Sequence, residues 1–362
     1  MPTRKKPTAK PQPTVADAPL TIHPLASARS ADPSLTAVPE ALASFLPGAL
    51  PPLDNPQTAL PAIAKDRPAV ARIEEAVRRI PTSHMLCLMD ARGPWGVPDG
   101  SVHLVLTSPP YWTLKEYRDT HGQLGHIEGY EEFLAQLDRV WEQAFAALIP
   151  GGRLICVVGD VCLSRRRNGG RHTVVPLHSS IQERCRAIGY DNLAPIIWYK
   201  IANANYEVEG GSGFLGKPYE PNAVIKNDIE FILMLRKPGG YRTPTLTERI
   251  LSVISNDNYQ QWFQQIWSGL TGASTRNHPA PFPLELAVRL VRMFSFVGDT
   301  VVDPFMGTGT TNLAAATWGR NSLGLEIDAH YFALAKTRME TASADLFGAT
   351  SIRTVDRSQE TS

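Results

Sequence analysis

The stretch Val102–Trp112 reads V-H-L-V-L-T-S-P-P-Y-W, and it decides how the rest of the chain is interpreted. Its first five residues, which are mostly apolar and end at Leu106, predict a short buried strand. Pro109 and Pro110 cannot extend that strand, because proline lacks the amide donor and fixes its own φ. The chain must therefore turn at Ser108, beyond the carboxyl end of the strand, which is the edge where α/β sheets bind ligands.

The groups that follow this strand are polar and then aromatic. The Ser108 hydroxyl and the Pro109 carbonyl are hydrogen-bond acceptors, and Tyr111 and Trp112 offer flat faces for a planar ring. Acceptors beside a stacking face describe a pocket for a base that carries an exocyclic amine. A rigid loop with two core aromatics is the alternative, and these residues alone do not decide between the two.

A second stretch, Thr300–Asn312, reads T-V-V-D-P-F-M-G-T-G-T-T-N and again runs from a hydrophobic strand into a tight turn. Gly307 and Gly309 let the backbone pass close to a ligand, and a helix with free first-turn amides is expected to follow. Glu326 ends the next hydrophobic run, 23 residues after Asp303. In this pattern the acidic residue takes a ribose diol. The glycine spacing is shorter than a full G-x-G-x-x-G, and a plain turn is the alternative.

Together, the two stretches make the chain resemble the DNA amino-methyltransferases, which methylate an exocyclic amine with S-adenosylmethionine. S-P-P-Y-W is similar to their catalytic motif and D-P-F-M-G-T-G-T-T to their cofactor loop, in the permuted order called the β class. The resemblance covers roughly residues 73–340 and includes I-I-W-Y-K at 196–200. It implies an α/β, Rossmann-like fold: a mostly parallel seven-stranded sheet with one antiparallel strand and helices on both faces.

The resemblance also implies roles for individual residues. The implied catalytic residues are Ser108, Pro109, Pro110 and Tyr111. The implied cofactor-binding residues are Asp90, Asp303, Phe305, Gly307, Gly309, Thr310 and Glu326. For Asp90, which is expected to accept from the adenine amine of the cofactor, a loop-capping carboxylate is the alternative.

The first position of the catalytic motif bears on the product. A serine there is similar to the members that methylate cytosine N4, whereas members acting on adenine N6 usually carry aspartate or asparagine. The expected product is therefore N4-methylcytosine, made on a base flipped out of double-stranded DNA. The alternatives are N6-methyladenine, methylation of an RNA or protein amine, and a non-catalytic DNA-binding protein with a relict fold.

Length and composition limit the class of protein. The 362 residues suffice for one large domain or two small ones, and 43% hydrophobic residues are ordinary for a globular protein. No apolar run approaches the ~20 residues of a membrane span and no secretory signal is present, so a cytoplasmic location is expected. Cys87, Cys156, Cys162 and Cys185 show no metal spacing, so neither a metal site nor a disulfide framework is predicted.

The charge is unevenly distributed. A net charge of +1 argues against a general nucleic-acid binder, but segment 161–186 carries six arginines against the single acid Glu183. A phosphate-binding surface is expected there, with a solvated loop as the alternative. The expected DNA-binding residues are Arg165, Arg166, Arg167, Arg171 and, in a glycine-rich insert, Lys217. The expected partners are double-stranded DNA and a separately acting restriction endonuclease, with the protein as a monomer or homodimer.

Proline content marks the N-terminal boundary, because residues 1–70 contain 14 of the 30 prolines and are expected to be disordered or loosely packed. The polar loop 113–129 after the catalytic motif is predicted to be a surface loop, a DNA contact or a lid. The other expected divisions are a methyltransferase domain at 71–345, its catalytic half at 84–235, its cofactor half at 278–340, a small target-recognition region at about 203–226 and 238–276, and a flexible tail at 346–362.

Overall fold

Strands and helices alternate along the chain. The computed structural model describes residues 42–48, 50–51, 53–114, 117–163, 168–200, 214–215, 221–222, 224–225, 227–270, 272, 282–345 and 350–358. The strands in these ranges are β1 (Thr82–Leu88), β2 (Val102–Thr107), β3 (Leu148–Val158), β4 (Val161–Leu163), β5 (Thr173–Val175), β6 (Asp191–Tyr199), β7 (Phe214–Leu215), β8 (Val224–Ile225), β9 (Ile229–Arg236), β10 (Ile266–Trp267), β11 (Thr300–Asp303), β12 (Asn321–Glu326) and β13 (Thr350–Asp356).

The helices in the same ranges are α1 (Pro56–Lys65), α2 (Arg67–Val77), α3 (Tyr130–Ala147), α4 (Leu177–Ile188), α5 (Leu246–Leu251), α6 (Asn256–Trp262), α7 (Leu284–Phe294), α8 (Thr310–Thr317) and α9 (Ala329–Asp345), with short 3-10 turns at Leu42–Phe45 and Leu124–His126. Within the described ranges, no helix is both long enough and apolar enough to cross a membrane.

The main sheet has the strand order β10-β6-β9-β3-β2-β11-β12-β1-β13. β9 runs antiparallel to β3 and β6, and the other neighbouring strands are parallel. The predicted fold class and the predicted antiparallel strand are confirmed. The seven strands from β6 to β1 match the expected number, but β10 and β13 add one strand at each edge, so the sheet has nine strands rather than seven.

The two motif-bearing strands are neighbours. β2 and β11 pair in parallel, with Val301 opposite Leu104 and Val302 opposite Val105. From β2 the chain continues to β3 on one side, whereas from β11 it continues to β12 on the other. This reversal of strand order opens a crevice at the carboxyl ends of β2 and β11, where α/β sheets bind their ligands.

Side chains of β2 alternate between two helical layers. Val105 packs with buried residues of α3 and α4, whereas Leu104 and Leu106 pack with buried residues of α7 and α8. All three side chains are fully buried. A strand covered by helices on both faces has no solvent-facing side, which explains why its sequence is mostly apolar, with His103 and Thr107 as its polar residues, instead of alternating regularly.

The expected boundary at residue 70 is wrong for the segment 53–70, which contains α1 and the start of α2. Asn55 and Asp66 cap these helices by accepting hydrogen bonds from backbone N–H groups in their first turns. Pro56 and Pro68 fall within those first turns, where the N–H that proline lacks is not needed. Ile63 is fully buried in a cluster that includes residues of α2 and α5. Residues 1–41 lie outside the described residues.

The expected flexible tail contains an edge strand, so that prediction is also wrong in part. β13 pairs in parallel with β1 along its whole length, from Thr350 opposite Thr82 to Asp356 opposite Leu88. Ile352 packs against a buried cluster that includes Leu86 of β1, Ala316 of α8 and Ala335 of α9. The sequence T-S-I-R-T-V-D carries the β-branched residues that are typical of a strand. Its polar residues led to the prediction of a flexible tail.

The region 238–276, expected to hold part of the target-recognition module, forms α5, α6 and β10. Ile250, Leu251, Trp262 and Trp267 are buried in the hydrophobic clusters beneath them. Much of this region is therefore integral to the core. Residues 271 and 273–276 of this region, and residues 203–213, 216–220, 223 and 226 of the other expected recognition segment, lie outside the described residues.

Candidate active site

A pocket at the carboxyl ends of β1, β2, β11 and β12 brings the two predicted motifs together. Asp90, Ser108, Pro110, Phe305 and Glu326 all line it. Residues separated by more than two hundred positions in the sequence thus share one cavity because β2 and β11 are adjacent in the sheet. The predicted catalytic and cofactor groups meet at the switch point of the fold.

Glu326 is the last residue of β12, and its side chain lines the pocket although the residue is only 8% exposed. Its Oε2 accepts the N–H of Gly307 at 2.8 Å, and its Oε1 accepts the N–H of Asp328 at 2.9 Å. Burial raises the pKa of Glu326 to about 7 in spite of these two hydrogen bonds. Each carboxylate oxygen keeps acceptor capacity, so the group can take two further hydrogen bonds from a diol.

Asp303 ends β11 and ties the two motifs together. Its buried carboxylate accepts the Thr107 hydroxyl at 2.6 Å, the Thr311 hydroxyl at 2.7 Å and the N–H of Phe305 at 3.0 Å. Thr107 directly precedes Ser108, so Asp303 links the catalytic strand to the cofactor turn. Burial raises the pKa of Asp303 to about 6. Its position does not support the direct cofactor contact that was predicted; we assign it a positioning role.

The glycine turn is shaped by its own backbone and by α9. Gly307 and Gly309 have φ values of +53° and +78°, in the left-handed region that favours glycine. A Cβ on Gly309 would lie 3.3 Å from the Cβ of Ala335. The Thr310 hydroxyl accepts a hydrogen bond from Arg338 Nη1 at 3.0 Å. The pocket lining does not include Gly307, Gly309 or Thr310. The Gly307 N–H reaches the pocket indirectly, by donating a hydrogen bond to Glu326.

Asp90 lines the pocket and is paired with Arg92, which sequence reasoning missed. Arg92 Nε donates to both Asp90 carboxylate oxygens at 2.9 Å. The same guanidinium donates to Gln136 of α3 at 2.7 Å and to the carbonyl of Gly122 at 3.2 Å. Arg92, held by Asp90 just after β1, therefore bridges α3 and the loop after the catalytic motif. The sequence signal was the basic residue two positions after the acid.

Ser108 and Tyr111 are hydrogen-bonded to each other. Ser108 Oγ donates to Tyr111 Oη at 3.3 Å, and Tyr111 Oη donates to the carbonyl of Val157 at 3.4 Å. Tyr111 is only 5% exposed, and burial raises the pKa of its phenol well above the ordinary value. The structure does not provide the open stacking face that was predicted at Tyr111. Because the Ser108 proton is directed to Tyr111, lone pairs of Oγ remain available to an amine.

The loop after the catalytic motif is held over the pocket. Trp112 has a φ of +47°, which is rare for a bulky residue, and its Nε1 donates to the carbonyl of Ile127 at 2.9 Å. Farther along, the Thr120 hydroxyl donates to Asp328 Oδ2 at 2.6 Å. Tyr117, Gly122, Gln123 and Leu124 of this loop line the pocket. Of the three roles predicted for loop 113–129, these contacts favour a lid.

The predicted DNA-binding residues are only partly described. Arg165, Arg166, Arg167 and Lys217 lie outside the described residues. Arg171 is exposed, in the segment that joins β4 to β5. Two further arginines of segment 161–186 are engaged in ion pairs, Arg184 with Glu131 and Asp138 of α3, and Arg186 with Glu183. The free positive charge is smaller than the sequence count indicated, because α3 supplies two acids from outside the segment.

The strand order, the single antiparallel strand and a pocket closed by a buried acid at the end of β12 define a methyltransferase-type Rossmann-like fold. Within that class, the profile of the DNA methylase family matches residues 102–337. The chain belongs to this DNA methylase family, and the matched range includes both motifs and three of the four strands that border the pocket, β2, β11 and β12.

Relatives of the chain span most of its folded part. Type II methyltransferase M.MjaI of Methanocaldococcus jannaschii is 36% identical over 279 residues, which cover 69% of this chain and 88% of that protein. Type II methyltransferase M.MthZI of Methanothermobacter thermautotrophicus is 34% identical over 280 residues, covering 71% and 77%. A Thermus thermophilus protein described as a DNA modification methylase, solved with S-adenosyl-L-methionine, is 51% identical with a TM-score of 0.62, covering 76% of this chain and 98% of that one.

Proposed function

We propose that this protein is a site-specific Type II DNA methyltransferase that transfers a methyl group from S-adenosylmethionine to the N4 amine of a cytosine flipped out of double-stranded DNA. The observation that carries the proposal is the single pocket shared by Ser108 and Glu326. Membership of the DNA methylase family supports methyl transfer to DNA. Because the Methanocaldococcus jannaschii and Methanothermobacter thermautotrophicus relatives are Type II methyltransferases, a separate endonuclease that cuts the same sequence is the expected partner.

The pocket suits the cofactor in its chemistry. The buried Glu326 carboxylate has acceptor capacity for the two ribose hydroxyls, and Asp90 offers a carboxylate near the expected adenine position. Phe305, whose ring packs edge-on against Trp141 with centroids 6.2 Å apart, provides an apolar wall. The Thermus thermophilus relative, solved with S-adenosyl-L-methionine, supports this choice of methyl donor. When bound, the cofactor supplies an electrophilic methyl group on a sulfonium.

The acceptor side needs hydrogen-bond acceptors more than a base. Cytosine N4 is a weak nucleophile because its lone pair is delocalised into the ring. In the proposal, Ser108 Oγ and the Pro109 carbonyl accept the two amine hydrogens, which favours a tetrahedral nitrogen and stabilises the positive charge that develops on it. Tyr111 orients the lone pairs of Ser108 through their hydrogen bond. The nitrogen that accepts the methyl group loses one of its protons to water, and no covalent intermediate with the enzyme is required.

The product tests the proposal. Duplex DNA is incubated with the enzyme and cofactor labelled in the methyl group, and the nucleosides are then separated by mass spectrometry. Label is expected in N4-methylcytosine, since the S-P-P-Y form of the motif resembles the cytosine-specific members. Label in N6-methyladenine alone would overturn the cytosine assignment and leave a DNA methyltransferase. Sequencing of the methylated positions in DNA from an expression host identifies the recognition sequence.

Phosphate contacts by the basic segment are tested by salt dependence. Replacing Arg165, Arg166 and Arg167 together with alanine is expected to lower DNA affinity without changing the methylated sequence, because phosphate contacts position the duplex and do not specify it. The slope of log affinity against log salt is expected to shrink by about 0.9 for each lost contact. Arg186→Ala, which removes a surface arginine paired with Glu183, is the matched control. An unchanged slope in the triple variant contradicts the assignment.

A further inference from the structure

A second group of charged side chains lies at the same edge of the sheet as the pocket, on the other side of β2. Lys200 directly follows the carboxyl end of β6. Glu230 is the second residue of β9, and because β9 runs antiparallel to β6 its first residues lie at this same edge. The cofactor pocket occupies the ends of β1, β2, β11 and β12, so a target base that reaches Ser108 is flanked by the ends of β3, β9 and β6.

Lys200 and Glu230 form an ion pair beside the catalytic motif. Lys200 Nζ donates to Glu230 Oε1 at 2.5 Å. Gly159 separates this pair from Tyr111, since a Cβ placed on Gly159 would lie 3.3 Å from both Glu230 Cγ and Tyr111 Cε2. Burial is the main cause that raises the pKa of Tyr111, and the nearby Glu230 carboxylate raises it further. The Lys200–Glu230 ion pair is therefore a charged neighbour of Tyr111, the side chain that is hydrogen-bonded to Ser108.

The ion pair leaves donor capacity on Lys200. The Glu230 side chain is 7% exposed, whereas the Lys200 side chain is 34% exposed. An ammonium has three N–H donors, and within the described part of the chain Glu230 is the one side chain that accepts a hydrogen bond from Nζ. The lysine backbone is fixed by its N–H, which donates to the carbonyl of Asp228 at 3.2 Å. The Lys200 ammonium is thus held in place by Glu230 and keeps N–H donors that face the solvent-accessible edge of the sheet.

His178 is another candidate donor on this side, and its contacts make it a poorer one. Its Nδ1 is 2.6 Å from Asp160 Oδ1, and its ring is stacked on Phe231 with centroids 3.8 Å apart. One ring nitrogen and one ring face are therefore already engaged within the protein. Lys200 therefore has more capacity than His178 to donate a hydrogen bond to a ligand.

The chemistry of the two candidate bases gives Lys200 a specific task. A cytosine carries a carbonyl, O2, on the same edge as its amine, whereas adenine has only a C–H at the corresponding place. We infer that Lys200, held by Glu230, donates a hydrogen bond to the O2 carbonyl of the flipped cytosine and so selects cytosine over adenine. The inference rests on the proposed function.

The test compares two target bases in a duplex that carries the recognition sequence. One duplex contains cytosine, and the other contains a 2-aminopyridine nucleotide, which keeps the ring nitrogen and the amine but lacks the carbonyl. The wild-type enzyme is expected to lose about 10- to 100-fold in kcat/KM on the analogue, the usual size for a hydrogen bond to a charged donor. Lys200→Met is expected to lose a similar factor on cytosine and nothing further on the analogue.

Two further variants distinguish recognition of the base by Lys200 from a purely structural role of this residue. Lys200→Met leaves Glu230 buried without its counter-ion, so Lys200→Met/Glu230→Gln, which removes both charges at nearly constant volume, is measured beside it. Lys336→Ala on α9, a surface lysine, is the control. Equal further losses on the analogue in both Lys200 variants overturn the inference. A wild-type enzyme that makes no N4-methylcytosine is a different result: it refutes the proposed function before any variant is compared.

Discussion

Replacing Ser108 with alanine is expected to lower turnover by about a hundredfold or more while leaving cofactor affinity nearly unchanged. The Ser108 hydroxyl is the acceptor proposed to hold one amine hydrogen as charge develops on nitrogen. Its own hydrogen is directed to Tyr111 Oη at 3.3 Å, which leaves its lone pairs to the substrate. A group that acts mainly in the transition state contributes to kcat and little to ground-state binding.

Single-turnover methylation of a duplex that carries the recognition sequence measures this effect, and calorimetry measures cofactor affinity. Ser101→Ala is the matched control, because the Ser101 hydroxyl donates to the carbonyl of Pro98 in the turn before β2. Tyr111→Phe is expected to lose about fivefold, the size of one neutral hydrogen bond, because it removes the partner that orients Ser108. A Ser108→Ala enzyme with wild-type turnover would remove Ser108 from the chemistry.

Local patterns in the sequence predicted the elements that carry their own boundary signals. Helix α4, observed at Leu177–Ile188, carries such signals, because Pro176 precedes it and Gly189, with a φ of +122°, follows it. The turn after β2 was predicted because two prolines cannot continue a strand. The short helix α1 was missed because its prolines were counted as a sign of disorder, although Pro56 lies at a position where a helix accepts proline.

The sequence predicted which residues belong to the site better than it predicted the role of each one. Two strand–turn motifs with the chemistry of an amine pocket were enough to place Ser108 and Glu326 together. Which groups line the pocket and which support it depends on contacts between distant positions, such as Thr107 with Asp303 and Lys200 with Glu230. Such pairs follow from strand order and register, which no local pattern encodes. For that reason Asp303 was placed in the cofactor site although it lies behind the pocket.

Replacing Glu326 with alanine is expected to weaken S-adenosylmethionine binding by about 1.5 to 3 kcal/mol, the size of hydrogen bonds to a charged group. The carboxylate is buried, and the backbone N–H groups of Gly307 and Asp328 fix both of its oxygens. Its remaining lone pairs suit the ribose hydroxyls. Calorimetry on folded protein measures the loss, and Glu340→Gln, an exposed glutamate of α9, is the control.

The pH dependence of cofactor affinity tests the same carboxylate without a mutation. Burial raises the pKa of Glu326 to about 7, so at pH 6 most of the cofactor-free protein carries a proton there. A cofactor that donates two hydrogen bonds prefers the ionised form, so affinity should rise as pH increases through 7 and level off above it. Between pH 6 and pH 8 the expected gain is about tenfold, with release of about one proton per cofactor at the lower pH. Glu326→Gln should abolish this dependence, whereas a wild-type affinity that stays constant across this range would show that Glu326 does not contact the ribose.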